Sequence, residues 1–118
     1  MNCFCESGGT TELKIEGDVG ADPFWCNKCD CNLDIDNVPI SGELAEELLS
    51  WAMNYGEWID WEKDRLIPKG LDLEQEFNKS GVILTEKVKR EIGGNYKIKF
   101  MPSTSASVYA QMKNGANY

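Results

Sequence analysis

Five cysteines fall within the first 31 residues, as Cys3-x-Cys5 and then Cys26-x2-Cys29-x-Cys31, in a chain of 118 residues that contains no histidine. This arrangement constrains the N-terminal third more than any hydrophobic pattern does. An odd number of clustered thiols fits a disulfide framework poorly, whereas tetrahedral zinc takes four sulfurs at about 2.3 Å and each tight turn can deliver two of them. The spacing predicts one structural Zn2+ held by Cys3, Cys5, Cys26 and Cys29, with Cys31 either packed as a small apolar side chain or serving as a substitute ligand. With every position filled by thiolate, such a site contributes folding energy and leaves no place for water or substrate. Iron in the same set and a redox pair at Cys26 and Cys29 are the competing readings; the second lacks a helix N-terminus at the first thiol to activate it.

Residues 3–33 resemble a zinc ribbon. The C-x-x-C pair is followed by a small polar residue, Asp30, and four positions after its second cysteine by Leu33. The departure is the first pair, where ribbons usually carry two residues between the cysteines and this chain has only Phe4. Proteins of many functions share the resemblance, so it implies a cofactor and a local fold and no activity.

Beyond the thiols the pattern reads as α+β. Residues 11–16 alternate, with Leu13 and Ile15 on one face and Glu12, Lys14 and Glu16 on the other, which predicts a half-buried strand returning through Phe24 and Trp25 as a hairpin. Ser41 stands as a cap before a helix expected over about residues 42–61, whose Leu44, Leu48, Trp51, Ala52, Tyr55, Trp58 and Ile59 share an arc of about 120°. A second helix is expected from a cap at Asp72, with a stripe of Phe77, Gly81, Leu84, Val88 and Ile92 and a left-handed stop at Gly93-Gly94. Gly81 on that stripe predicts close packing against the first helix or the sheet. Tyr96, Ile98 and Phe100 alternate with Lys97 and Lys99 as a strand that joins the N-terminal hairpin. The expected organisation is a zinc-ribbon hairpin over 1–40, two helices and a strand over 41–102, and a polar tail or edge strand over 103–118.

Composition narrows the function. Twenty carboxylates against twelve basic side chains give a net charge of −8, which opposes a phosphate backbone and suits a basic protein partner. Without histidine the usual general base and the Ser-His and Cys-His pairs are missing, and Asp60, Glu62 and Asp64 sit two apart, pointing away from one another on a helix. No glycine-rich phosphate loop precedes a helix. The start, MNCFCESGG, lacks the basic and apolar pattern of a secretory signal, and a cytoplasmic location is expected.

The run 32–41 (NLDIDNVPIS), the spacing of Leu44, Leu48, Trp51 and Tyr55, FNKSGVIL and GNYKIKF resemble a group of small bacterial proteins without an assigned activity. The resemblance covers about residues 24–100 and implies a bacterial cytoplasmic protein. The resulting expectation is a non-catalytic zinc-binding adaptor or regulator that meets a protein partner through Trp61, Glu43, Glu47 and Glu57 on an acidic helix face. The alternatives are an immunity or antitoxin-like protein whose acidity matches a basic toxin, a nucleic-acid-binding ribbon using Lys87, Lys89, Arg90, Lys97 and Lys99, and a thiol oxidoreductase.

Overall fold

A computed structural model describes the backbone of residues 10–115 and the side chains through Gln111. Cys3 and Cys5 lie outside the described residues. The fold is α+β, as the pattern predicts. Strands β1 (Glu12–Glu16), β2 (Phe24–Cys26) and β3 (Asn32–Leu33) form an antiparallel meander, and β6 (Lys97–Met101) adds to the other side of β1 in parallel, giving the order β3-β2-β1-β6. Alternation places Leu13 and Ile15 of β1 and Phe24 of β2 fully inside. The outward residues of β6 are Lys97 and Lys99, charges that discourage further pairing at this edge of the sheet.

Helices α1 (Gly42–Met53) and α2 (Gly70–Ile92) pack together. Ser41 caps α1 by accepting from the Leu44 amide at 3.2 Å, and the Glu91 carboxylate near the end of α2 accepts from both the Ser41 amide (2.7 Å) and its hydroxyl (2.9 Å). The start of one helix is thereby tied to the end of the other. The predicted α2 stripe is buried along its whole length, and Gly81 has the expected cause: a β-carbon there would lie 2.4 Å from the Phe100 ring and 2.9 Å from that of Trp51. Trp51 stacks on Phe77 with ring centres 4.3 Å apart and donates from Nε1 to the Phe77 carbonyl at 2.8 Å. Trp58 meets the same Phe77 ring edge-on at 5.1 Å, so these aromatics form core and not an open stacking platform.

Several boundaries differ from the sequence reading. The first helix ends at Met53, not near Trp61, because Gly56 takes φ +86° and turns the chain into a small hairpin of β4 (Ile59–Asp60) and β5 (Arg65–Leu66). Trp58 and Ile59 remain buried, but from the turn and from β4. The second helix starts at Gly70, two residues before Asp72, after a left-handed Lys69 with φ 64°; a β-carbon at position 70 would stand 2.9 Å from the Trp58 carbonyl. At its other end Gly93 stays right-handed with φ −63° and donates to the Lys89 carbonyl, so no left-handed residue terminates the helix.

The largest correction concerns the tail. Residues 105–115 form a third helix, α3 (Ser105–Gly115), instead of a loose segment or edge strand. Its N-terminus is held by Glu74, a buried carboxylate of α2 whose Oε2 accepts from the Ala106 amide (2.8 Å), the Ser103 hydroxyl (2.8 Å) and the Ser105 hydroxyl (3.4 Å). A negative group is favoured at this end, where amides point outward unpaired. Trp58 Nε1 donates to Ser105 Oγ at 2.9 Å, and Asn78 brackets the Ser103 backbone with two bonds of 2.8 and 3.0 Å. Among the described residues no buried side-chain nitrogen or oxygen lacks a partner.

Candidate partner surface and cysteine turn

A groove of about 560 Å³ runs between α1 and α2. Glu43, Glu46 and Glu47 line it from α1, Ile83, Leu84 and Lys87 from α2, with Trp51 also in its wall. The spacing of Glu43, Glu46, Glu47 and Ser50 sets them on one face of α1, in line with the C-cap Asn54 and beside the buried arc of Leu44, Leu48 and Trp51. Glu47 is half-buried and engaged with Lys87 at 2.8 Å, whereas Glu43 and Glu46 are exposed. The net character is therefore two exposed carboxylates beside apolar surface, since Ile83 is 59% exposed.

The four residues proposed from sequence for partner contact are not all brought together. Glu43 and Glu47 line the groove; Trp61 and Glu57 do not. Glu57 lies in the turn after α1 and is exposed. Trp61 opens the β4–β5 turn, 57% exposed, with its ring laid against Gly56 where a β-carbon would come within 2.9 Å. It is a second, separate apolar point. Glu46 and Ile83 were missed, although Glu46 falls in the same helical arc as Glu43, Glu47 and Ser50 and was legible there.

The carboxylates at 60–64 serve the same hairpin. Asp60 Oδ1 accepts from the amides of Glu62 and Lys63 at 3.1 Å each, and Asp64, with φ 52°, accepts from the Tyr109 hydroxyl at 2.6 Å. That hydrogen bond raises the Tyr109 pKa above its ordinary value. Of the basic cluster, Lys87 is paired with Glu47 and Lys89 with Glu86, while Lys97 and Lys99 lie on the β6 strand.

The second cysteine group sits where β2 turns into β3. Cys26 closes β2, wholly buried, with Cys29 and Cys31 partly exposed in the turn. The Asp30 amide donates to the Cys26 carbonyl at 2.9 Å, the Cys26 amide to the Cys31 carbonyl at 2.9 Å, and the Lys28 amide to Cys26 Sγ at 3.4 Å. Asp30 takes the left-handed conformation, φ 61°, which lets the turn double back. Two ion pairs fasten it to β1: Lys14 to Asp30 at 2.6 Å and Lys28 to Glu12 at 3.0 Å.

Burial pushes the Cys26 thiol up, but hydrogen bonds from Thr10, from the amides of Cys29 and Lys28 and from the Cys29 side chain outweigh it and bring the pKa down to about 6. The Thr10 hydroxyl carries one proton, for which the Glu12 carbonyl at 3.1 Å competes. The amides have no such alternative, so they are the dependable part of the thiolate's stabilisation. Among the described residues no three cysteine or carboxylate groups converge as a metal cluster, Cys31 included.

Residues 11–103 match the family described as Serratia CdiI immunity protein-like. The chain belongs to this family. The matched span runs from the residue before β1 to Ser103, two residues before α3, so it takes in the sheet, the groove and the cysteine turn of this family member, and leaves out Cys3 and Cys5. No curated protein matches the chain. The family corrects the order of the functional readings, placing the immunity alternative ahead of a general adaptor. It assigns neither a metal nor a catalytic residue. Among the described residues no helix is long and apolar enough to cross a membrane.

Proposed function

We propose that this protein is a non-catalytic immunity protein that binds and neutralises a toxin protein in the cytoplasm, through the acidic α1 side of the groove. Membership of the immunity-like family carries this reading. The net charge of −8 and the exposed pair Glu43 and Glu46 support a partner with a basic face, because opposed potentials speed encounter and suppress wrong pairings. The apolar floor at Ile83 and Leu84 supplies area that excludes water on contact. A nucleic-acid ligand is disfavoured by the same charge and by the pairing of Lys87 and Lys89 with carboxylates.

Two expected results test the reading. Co-expression with the toxin encoded beside this chain's own gene should restore growth, and unrelieved toxicity with soluble wild-type protein present would count against immunity function altogether. In binding titrations against that toxin, Glu43→Lys combined with Glu46→Lys should weaken affinity by about 10- to 100-fold, mostly through slower association and with a flattened salt dependence. Rescue by wild type together with unchanged affinity of the double variant would keep the function and move the interface elsewhere. Trp61→Ala probes that alternative: if the indole is an anchor, it should lose about tenfold or more, and if it only covers Gly56 the affinity should stay within twofold.

A further inference from the structure

We infer that the cavity between the end of β1 and the start of α3 takes one guanidinium group, the arginine side chain of a basic protein partner. The cavity holds about 320 Å³, at the lower end of the roughly 300–1,000 Å³ of ligand pockets, a size for one side chain. Glu16 and Gly17 line it from the end of β1, Tyr55 from the turn after α1, and Ser103, Val108 and Tyr109 from the α3 side. The Tyr55 wall is set before anything binds. Its ring lies against Gly17, where a β-carbon would come within 3.0 Å, and meets Trp58 and Phe77 edge-on at 5.4 and 5.9 Å.

Two of the lining hydroxyls have already committed their protons. Tyr109 donates to Asp64 at 2.6 Å and Ser103 to Glu74 at 2.8 Å. A hydroxyl that has given its proton to a carboxylate offers a ligand only lone pairs. Glu16 is a third acceptor, and its ion pair with Lys14 is the longer of that lysine's two, 3.4 Å against 2.6 Å to Asp30. No lysine or arginine is among the described residues that line the cavity, so an anion would meet these acceptors without a cation to hold it. A matching group carries positive charge and several N–H donors, with an apolar stem for Val108, which is 45% exposed. Arginine presents five donors on a planar cation, and tyrosine rings attract such a cation. The net charge of −8 favours a basic partner as its source. That this partner is the toxin rests on the immunity reading; the preference of the cavity does not.

Titration of the full chain with Nα-acetyl-arginine methylamide, followed by nitrogen–proton correlation NMR, tests the site. Saturable shifts are expected at the Gly17, Ser103 and Tyr109 amides, with a dissociation constant on the order of 1–10 mM. The citrulline counterpart, neutral and of the same length, should bind about tenfold more weakly, and the lysine counterpart about threefold more weakly. Glu16→Gln and Tyr109→Phe should each weaken the arginine probe about threefold or more, their spectra showing that they remain folded. No saturable shift at these amides in wild type, or citrulline as tight as arginine, would overturn the site. Lysine as tight as arginine would overturn the preference for guanidinium. With the toxin encoded beside this chain's gene, the same two variants should also weaken binding about threefold or more. Unchanged toxin affinity, with the probe still seated in the cavity, would overturn the occupant and leave the immunity reading intact. Toxin that is neither bound nor neutralised would overturn the immunity reading and the occupant together, while the titration still decides the cavity.

Discussion

Gly81→Ala should destabilise the protein by about 2 kcal/mol, against the usual sign for a helical glycine. In an exposed helix interior the change gains about 1 kcal/mol from propensity. Here the new methyl would stand 2.4 Å from two Phe100 ring atoms, well inside the roughly 3.5–4.0 Å at which carbons attract. Retreat is costly for both rings. Phe100 belongs to β6, paired along its length with β1, and Trp51 is fixed by its stack on Phe77 and its bond to the Phe77 carbonyl. Overpacking of this kind costs about 1–3 kcal/mol and occasionally more, so the helical gain is outweighed, and Gly81→Val should be worse. Urea unfolding followed by tryptophan fluorescence reads the effect, and a variant more stable than wild type would show that α2 stands off the sheet.

Glu74→Ala should lose about 2–4 kcal/mol, since one carboxylate oxygen serves three donors in a buried place. Removing it leaves the buried Ala106 amide without its acceptor and the part-buried Ser103 and Ser105 hydroxyls with only each other to turn to. The loss has a ceiling, because α3 can undock and let those groups find water once the damage exceeds what docking contributes. Glu74→Gln separates charge from hydrogen bonding: its amide oxygen can still accept, so about half of the alanine loss is expected, reflecting the weaker neutral bond. Urea midpoints together with far-ultraviolet circular dichroism distinguish partial loss of helix from global unfolding. An alanine variant within about 0.5 kcal/mol of wild type would mean that the network does not hold α3.

These two residues mark where sequence reasoning reached and where it stopped. Gly81 was legible because a glycine on an otherwise apolar stripe asks for a close neighbour, and the N-terminal hairpin, both helices and β6 followed from periodicity. The end of α1 was misplaced because Tyr55, Trp58 and Ile59 continue the helical period while being buried from a turn; Asn54-Tyr55-Gly56 carried the contrary local signal. For α3 the local sequence gave no warning. Its serine-rich start is satisfied by a carboxylate on another helix, a contact made only once the chain is folded. The groove was half visible, as the acidic arc of α1, but its apolar wall at Ile83 and Leu84 comes from α2 and depends on how the helices pack.

The parallel pairing of β1 with β6 governs when a newly made chain becomes competent. Leu13 has its hairpin partner Cys26 early, yet its other neighbour, Ile98, is among the later residues to be synthesised. At about 5–20 residues per second, roughly 4 to 17 seconds separate the two strands during translation. Through that interval the central strand has one open edge, and the inner face of the sheet waits for α2, a state prone to stray pairing. Under the immunity function proposed above, molecules with a completed sheet are supplied only after translation has passed Met101. Any truncation upstream of Lys97 yields chains whose central strand never acquires its second neighbour.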